Sequence, residues 1–142
     1  MKKCFLLICL CVFIGIFITG CSGDTVRSDV DIDLTELSIT MMQAEFNRII
    51  SDSDDYIGKT IRAGGTLRTM LIDNAGNYAH YIVVIPGDDC CWSGFEFKRD
   101  ESYNFPRDYP RQDASIVISG TLSRYRESGV TYLYIAVDEF SS

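Results

Sequence analysis

The sequence has few of the residues from which enzyme active sites are usually built. It contains one histidine, His80, and only three prolines. It lacks the G-x-S-x-G turn of hydrolases, a phosphate-cradling glycine loop, and the C-x-x-C and H-x-x-x-H spacings of common metal sites. These absences predict a protein that is not an enzyme and that acts by binding.

Positive charge is also scarce. The chain has 13 basic against 20 acidic residues, which gives a formal net charge of −7. Proteins that bind nucleic acid neutralise phosphates with clustered lysine and arginine. We therefore expect that nucleic acid is not a partner.

The N-terminal segment has the composition of an export signal. Lys2 and Lys3 precede the apolar run CFLLICLCVFIGIFI, residues 4–18, which is shorter than the ~20 apolar residues of a spanning helix. The motif ITGC, residues 18–21, resembles the bacterial lipobox, which implies cleavage before Cys21 and acylation of its thiol by palmitate-like chains. An uncleaved N-terminal anchor is the alternative. Both place the rest of the chain on the extracytoplasmic face of the cell membrane.

The remaining chain divides by composition. We expect a lipoprotein signal peptide over 1–20, a flexible acidic tether over 21–34, a helical segment over 35–55 and a barrel over 56–142. In the helical segment, Ile39, Met42, Phe46, Ile49 and Ile50 recur at helical spacing, which predicts one amphipathic helix over about 38–52. The resulting domain is expected to be a monomer.

From Ile57 onward the apolar period changes from 3.6 to 2, which predicts five strands. Gly64-Gly65 predicts a bend in the first strand, and a loop with Pro106 and Pro110 separates the third from the fourth. The sequence therefore predicts a mainly β fold, a five-stranded OB-fold-like barrel preceded by the helix. The predicted inner face is Ile61, Leu67, Phe95, Phe97, Ile116, Ile118, Leu122, Leu133, Ile135 and Val137.

Three segments of the barrel region resemble an uncharacterised group of bacterial lipoproteins with an OB-fold domain. They are DYIGKTIRAGGTL, residues 55–67, DDCCWSGFEF, residues 88–97, and YPRQDASIVISGTLSRYRESGVTYLYI, residues 109–135. That group is similar to the tRNA-anticodon-like OB-fold family and to the extracytoplasmic domain of a permease-subunit family. The resemblance implies the fold and carries no activity.

Cys90 and Cys91 are the two cysteines that remain after loss of the signal peptide and acylation of Cys21. Three interpretations stay open: small apolar side chains that pack, a strained vicinal disulfide, or soft ligands that hold a metal such as zinc together with His80. The neighbouring acidic residues raise a thiol pKa, which disfavours a nucleophile. No cofactor is expected. The alternative is a thiol-redox or metal-binding accessory protein of an envelope transport system.

A second candidate site lies on the strand positions that alternate away from the core. Arginine and tyrosine side chains predicted there offer stacking and hydrogen bonds to a ligand. The residues are Arg62, Arg68, Arg124, Tyr132 and Tyr134. We therefore expect a binding module, held at the membrane by its lipid anchor, with an envelope protein or glycan as partner.

Overall fold

The computed structural model describes residues 30–88 and 91–142. The predicted signal peptide, the acylation site Cys21, most of the tether and Cys90 lie outside the described residues. Within the described ranges, no helix is both long enough and apolar enough to cross a membrane.

The predicted amphipathic helix is confirmed as α1 (Ile39–Ser51). Ser38 caps its start, because the Ser38 hydroxyl accepts a hydrogen bond from the Met41 amide at 3.4 Å. Met42 and Ile49 are buried in the core, and the Phe46 ring lies 4.9 Å from that of Phe95. The buried stripe is narrower than predicted. It leaves out Ile39 and Ile50, which are exposed.

Six strands are present in the described residues: β1 (Ile32–Asp33), β2 (Thr60–Leu71), β3 (Tyr78–Ile85), β4 (Ser93–Lys98), β5 (Ser115–Glu127) and β6 (Val130–Ser141). The five longer strands follow the order β2-β3-β4-β6-β5, and β5 returns to pair with β2. Only β4 and β6 run parallel among these five. This closed five-stranded barrel is the OB fold that the sequence predicted.

One boundary is wrong. Residues 32–34 were assigned to the flexible tether, yet Ile32 and Asp33 pair in parallel with β2, and Leu34 is fully buried. The Leu34 amide also donates a 2.8 Å hydrogen bond to the carbonyl of Arg62. A two-residue strand is too short to show an alternating pattern, so periodicity does not detect it.

The predicted bend in the first barrel strand is confirmed. Residues 60–66 of β2 pair with β5, and residues 66–71 pair with β3, so Thr66 pairs with both neighbours. At this change of partner, a Cβ on Gly65 would lie 2.2 Å from the carbonyl oxygen of Val83. Glycine is needed there because the two backbones approach too closely for any side chain.

The barrel interior follows the predicted alternation. Eight of the ten predicted inner residues are buried, and Leu133 and Val137 are partly exposed. The structure adds core residues that the prediction left out, notably Leu34, Ala63, Ile82 and Val84. Residues 99–114, which connect β4 to β5, form turns with no helix, as the two prolines predicted.

Candidate ligand-binding face

Strand alternation brings a set of aromatic and charged side chains together on the outside of the barrel. Tyr81 of β3 is paired with Glu96 of β4, and Glu96 with Tyr134 of β6. Two residues before Tyr134 on β6, Tyr132 is paired with Tyr125 of β5, so Tyr125 lies on the same outer surface. We call this surface the tyrosine face and define it as Tyr81, Trp92, Glu96, Lys98, Tyr125, Tyr132 and Tyr134.

The rings of the tyrosine face contact one another. The Tyr125 ring stacks on that of Tyr132 with centroids 5.2 Å apart and meets the Tyr134 ring edge-on at 5.8 Å. Across the sheet, Tyr81 and Trp92 form an edge-to-face pair at 5.5 Å. These separations are typical of favourable aromatic pairs, so the rings hold one another in place.

A cation is part of this cluster. The Lys98 ammonium lies 3.7 Å from the centre of the Tyr125 ring and 4.8 Å from that of Tyr134. The face of an aromatic ring attracts a cation at such distances. The tyrosine face therefore binds one ammonium group, that of its own lysine.

Glu96 is the buried charge at the centre of the face, with 8% of its surface exposed. The Tyr125 hydroxyl donates to its Oε2 at 2.9 Å, and the Lys98 ammonium lies 3.6 Å from its Oε1. These two partners offset the cost of burying a carboxylate. Burial and the hydrogen bond to Glu96 both raise the pKa of Tyr125, so its phenol stays a donor. Burial and the charge of Glu96 raise the pKa of Tyr81 as well.

A groove of about 350 Å³ adjoins the tyrosine face, between the end of α1 and the outer surface of β4 and β6. Its walls include the rings of Tyr81 and Tyr132. Of the described residues that line it, Glu96 alone is charged. The full lining is Ile50, Ser53, Tyr81, Gly94, Phe95, Glu96, Thr131, Tyr132 and Leu133.

The structure separates the predicted arginine–tyrosine surface. Tyr132 and Tyr134 belong to the tyrosine face, but Arg62 and Arg68 lie on β2, which pairs with β1, β3 and β5 and is not paired with β6. The predicted surface requires the first and last barrel strands, β2 and β6, to be neighbours, and in the barrel they are not. Arg62 instead lies 3.7 Å from Asp33, and Arg68 lies 3.1 Å from Asp113.

Arg124 was also expected on the outer surface beside the tyrosines, and this is wrong. On β5, Arg124 is paired with Leu133 and shares the side of Leu122, whereas Tyr125 points to the opposite side. Its guanidinium forms an ion pair with Asp54, in the 3₁₀ turn Ser53–Asp55 that follows α1. Of the five predicted binding residues, two therefore belong to the tyrosine face, Tyr132 and Tyr134.

Five residues of the tyrosine face were missed: Tyr81, Trp92, Glu96, Lys98 and Tyr125. A usable signal was present, because alternation places Tyr81 and Glu96 outward on the second and third barrel strands. Those strands form the surface on which OB folds bind oligonucleotides and oligosaccharides. The contact between Tyr125 and Glu96 had no comparable signal, because 29 residues separate the two.

Of the alternative metal ligands, Cys90 lies outside the described residues, and the structure does not bring Cys91 and His80 together. His80 is paired with Phe97, whereas Cys91 precedes Ser93, which is paired with Ile85. The pair at His80 and the pair at Ile85 are therefore five residue steps apart along β3, a distance of about 17 Å. Cys91 is exposed, and the described residues contain no cluster of three or more His, Cys, Asp or Glu side chains able to hold a metal.

His80 belongs to a different cluster, at the end of the barrel under the proline loop. Its ring stacks on that of Tyr109 at 4.2 Å and lies 5.2 Å from that of Phe105. Its Nδ1 is 3.0 Å from the Thr69 hydroxyl. Burial lowers the pKa of His80, so the neutral ring is favoured in this packing.

Comparison with known proteins adds little beyond the fold. No family model and no curated protein matches the sequence. Two crystal structures of the mitochondrial single-stranded DNA-binding protein Rim1 from S. cerevisiae are similar to this chain, each at 14% identity and a TM-score of 0.41. The similarity covers 59% of this chain and 91% and 92% of theirs. At this identity the likeness concerns the strand arrangement alone.

The prediction that nucleic acid is not a partner is corrected by this finding. Both of the similar structures named above are of a single-stranded DNA-binding protein. The acidic balance of a whole chain is a global sum, and it does not determine what one face of a barrel binds. What the fold defines is an OB-fold domain.

Proposed function

We propose that this chain is a non-enzymatic, lipid-anchored binding module of the cell envelope whose tyrosine face takes an oligosaccharide. One observation carries the proposal. Four tyrosines and a tryptophan converge, with a buried carboxylate among them, on the outer surface of the second and third barrel strands and the strands beside them. In OB folds that surface is the usual ligand platform.

The chemistry of the face suits a sugar polymer. Aromatic rings give a pyranose flat apolar surfaces to stack on, while Glu96 and the phenols give its hydroxyls acceptors and donors. Glu96 and Lys98 form an ion pair and so neutralise each other within the face. A polymer that is recognised by stacking and hydrogen bonds therefore matches the face.

The anchor is proposed from the sequence. The motif ITGC ends an apolar run too short for a stable spanning helix, and two acyl chains on Cys21 would hold the protein at the membrane. Such an anchor would present the barrel to envelope polymers on the extracytoplasmic face.

The test is to titrate the full chain in detergent with defined envelope oligosaccharides and to measure their affinity by calorimetry. The wild type should bind, and Tyr132→Ala should weaken binding at least tenfold, because truncation of a central aromatic residue commonly costs about 2 kcal/mol or more. Tyr103→Ala is the matched control, since Tyr103 is equally exposed but contacts Arg99 in the loop between β4 and β5. If the chain binds oligodeoxythymidine and none of the oligosaccharides, the ligand is single-stranded DNA and the glycan proposal is wrong. If Tyr132→Ala and Tyr103→Ala weaken binding equally, the tyrosine face is not the binding site.

A further inference from the structure

We propose that the groove beside the tyrosine face selects a protonated amine, so that the preferred oligosaccharide contains amino sugars with free amino groups. The inference rests on the proposed function, because it specifies the chemistry of the ligand at the same site. Its argument is independent of the aromatic platform and starts from the charge in the groove.

Glu96 supplies the negative charge. Its side chain is 9% exposed, and it is the one charged group among the described residues that line the groove. A carboxylate offers about four acceptor positions. The Tyr125 hydroxyl and the Lys98 ammonium account for one contact on each oxygen. Acceptor capacity therefore remains for an N–H donor that enters the groove.

Tyr81 and Tyr132 supply the second attraction. Both rings line the groove together with Glu96, and the negative electrostatic potential of an aromatic face adds to that of the carboxylate. Burial raises the pKa of Tyr81, and Glu96 and Tyr132 raise it further because they disfavour its ionised form. An ammonium in the groove would lie between aromatic rings and beside a carboxylate.

The tyrosine face already contains this arrangement once. The Lys98 ammonium is held by the rings of Tyr125 and Tyr134 and by Oε1 of Glu96. The groove is also lined by two tyrosines and by Glu96, and none of its described lining residues is a cation. The geometry thus supports a second ammonium position.

The one cation of the tyrosine face, Lys98, pairs with Oε1 of Glu96 and does not line the groove. On the side of α1, the charge at the edge of the groove does not oppose a cation. Ser53 lines the groove, and its neighbour Asp54 forms an ion pair with Arg124, so those two charges neutralise each other. Asp52 and Asp55, at the two ends of the same turn, are exposed acids. An amine that enters the groove beside this turn would therefore pass a neutral ion pair and two acidic side chains.

The experiment compares two oligosaccharides that differ in one respect. The full chain in detergent is titrated with a β-1,4-linked glucosamine oligomer and with its fully N-acetylated counterpart of equal length, below the pKa of the amine. Acetylation removes the charge and keeps the sugar backbone. We expect the amine form to bind at least tenfold more tightly, since a desolvated cation gains from both the carboxylate and the rings.

Variants locate the selectivity. Glu96→Gln keeps the side-chain shape and an acceptor for Tyr125, and it should reduce the preference for the amine to near unity while binding of the acetylated oligomer persists. Asp113→Asn is the matched control, because it removes one negative charge at an exposed site beside Arg68 on β2. It should keep the full preference. Tyr81→Leu removes one ring of the groove and leaves the carboxylate in place, so it should lower the preference for the amine in part. This variant replaces Glu96→Gln in the test if Glu96→Gln destabilises the fold.

The outcomes separate this inference from the proposed function. Equal affinity for the two oligomers, or tighter binding of the acetylated one, overturns the amine inference and leaves the oligosaccharide proposal standing. Failure to bind any oligosaccharide overturns both. Saturable binding of oligolysine with neither sugar bound would assign the groove to a basic peptide and would also overturn the inference.

Discussion

The adjacent glycines of β2 allow a direct test of why the barrel closes as it does. Gly64 and Gly65 are neighbours in one strand, and neither has a positive φ angle. A Cβ at Gly65 would lie 2.2 Å from the Val83 carbonyl oxygen, whereas one at Gly64 would meet only Thr35 Cγ2 at 3.4 Å and Val117 Cγ2 at 3.7 Å. We therefore predict that Gly65→Ala destabilises the barrel and that Gly64→Ala does not.

The magnitude follows from the contact. A separation of 2.2 Å is more than 1 Å inside the normal distance of about 3.5 Å, and the obstructing atom belongs to the backbone. Relief requires β2 and β3 to separate near the pair Thr66–Val83. Overpacking of this kind costs about 1–3 kcal/mol and a lost ladder hydrogen bond about 1 kcal/mol, while the loss of glycine flexibility returns about 0.4–1 kcal/mol. The net expectation is a loss of about 1–4 kcal/mol.

The assay is urea and thermal unfolding of both variants beside the wild type, followed by circular dichroism. For a domain of this size, about 4–8 °C of Tm corresponds to 1 kcal/mol, so Gly65→Ala should melt on the order of 10 °C lower. Gly64→Ala should stay within about 1 kcal/mol of the wild type, because its Cβ meets only ordinary contacts. Equal stability of the two variants would show that the close approach of β2 and β3 does not require glycine.

Three further predictions address the core, the loop cluster and the anchor. Ile118→Asp places an unpaired charge in the barrel interior, and the cooperative thermal transition should be lost, because the cost of several kcal/mol is comparable to the stability of an ordinary domain. Burial lowers the pKa of His80, so the unfolded chain gains its proton first as the pH falls. The contribution of His80 to the free energy of unfolding should therefore be fully present above pH about 6.5 and should fall as the pH drops from there to the lowered pKa. Urea midpoints measured over this pH range should show the decline in the wild type and not in His80→Gln. An alkyne fatty acid should label the wild-type chain in cells but not Cys21→Ser, and equal labelling would contradict the anchor.

Much of the fold could be predicted because local patterns determine it. The alternation in β5 and β6 places Ile116, Ile118 and Ile135 in the interior, and the 3.6-residue period identifies α1. The bend at Gly65 was also predictable, since two glycines inside a strand rarely have another role. These features depend on neighbours in sequence, which is why periodicity detects them.

The site was less predictable because it depends on which strands are neighbours. Arg62 and Tyr134 have the same outward alternation, yet the barrel order places β3 and β4 between their strands on one side and β5 on the other. The ion pairs of the arginines with Asp33, Asp113 and Asp54 are likewise tertiary contacts. Sequence alternation identifies the exposed side chains, but only strand order identifies which of them meet.

The position of β6 has a consequence for how the chain matures. β6 follows the other described strands in chain order, and it completes the barrel by pairing with β4 on one side and with β5 on the other. Until residues 130–141 have emerged, the nascent chain has two open strand edges with unpaired backbone groups, which invite association with other chains. If the chain is secreted as proposed, those edges would face envelope chaperones and proteases during translocation. A premature stop codon within β6 would therefore leave an open, aggregation-prone sheet instead of a shortened domain.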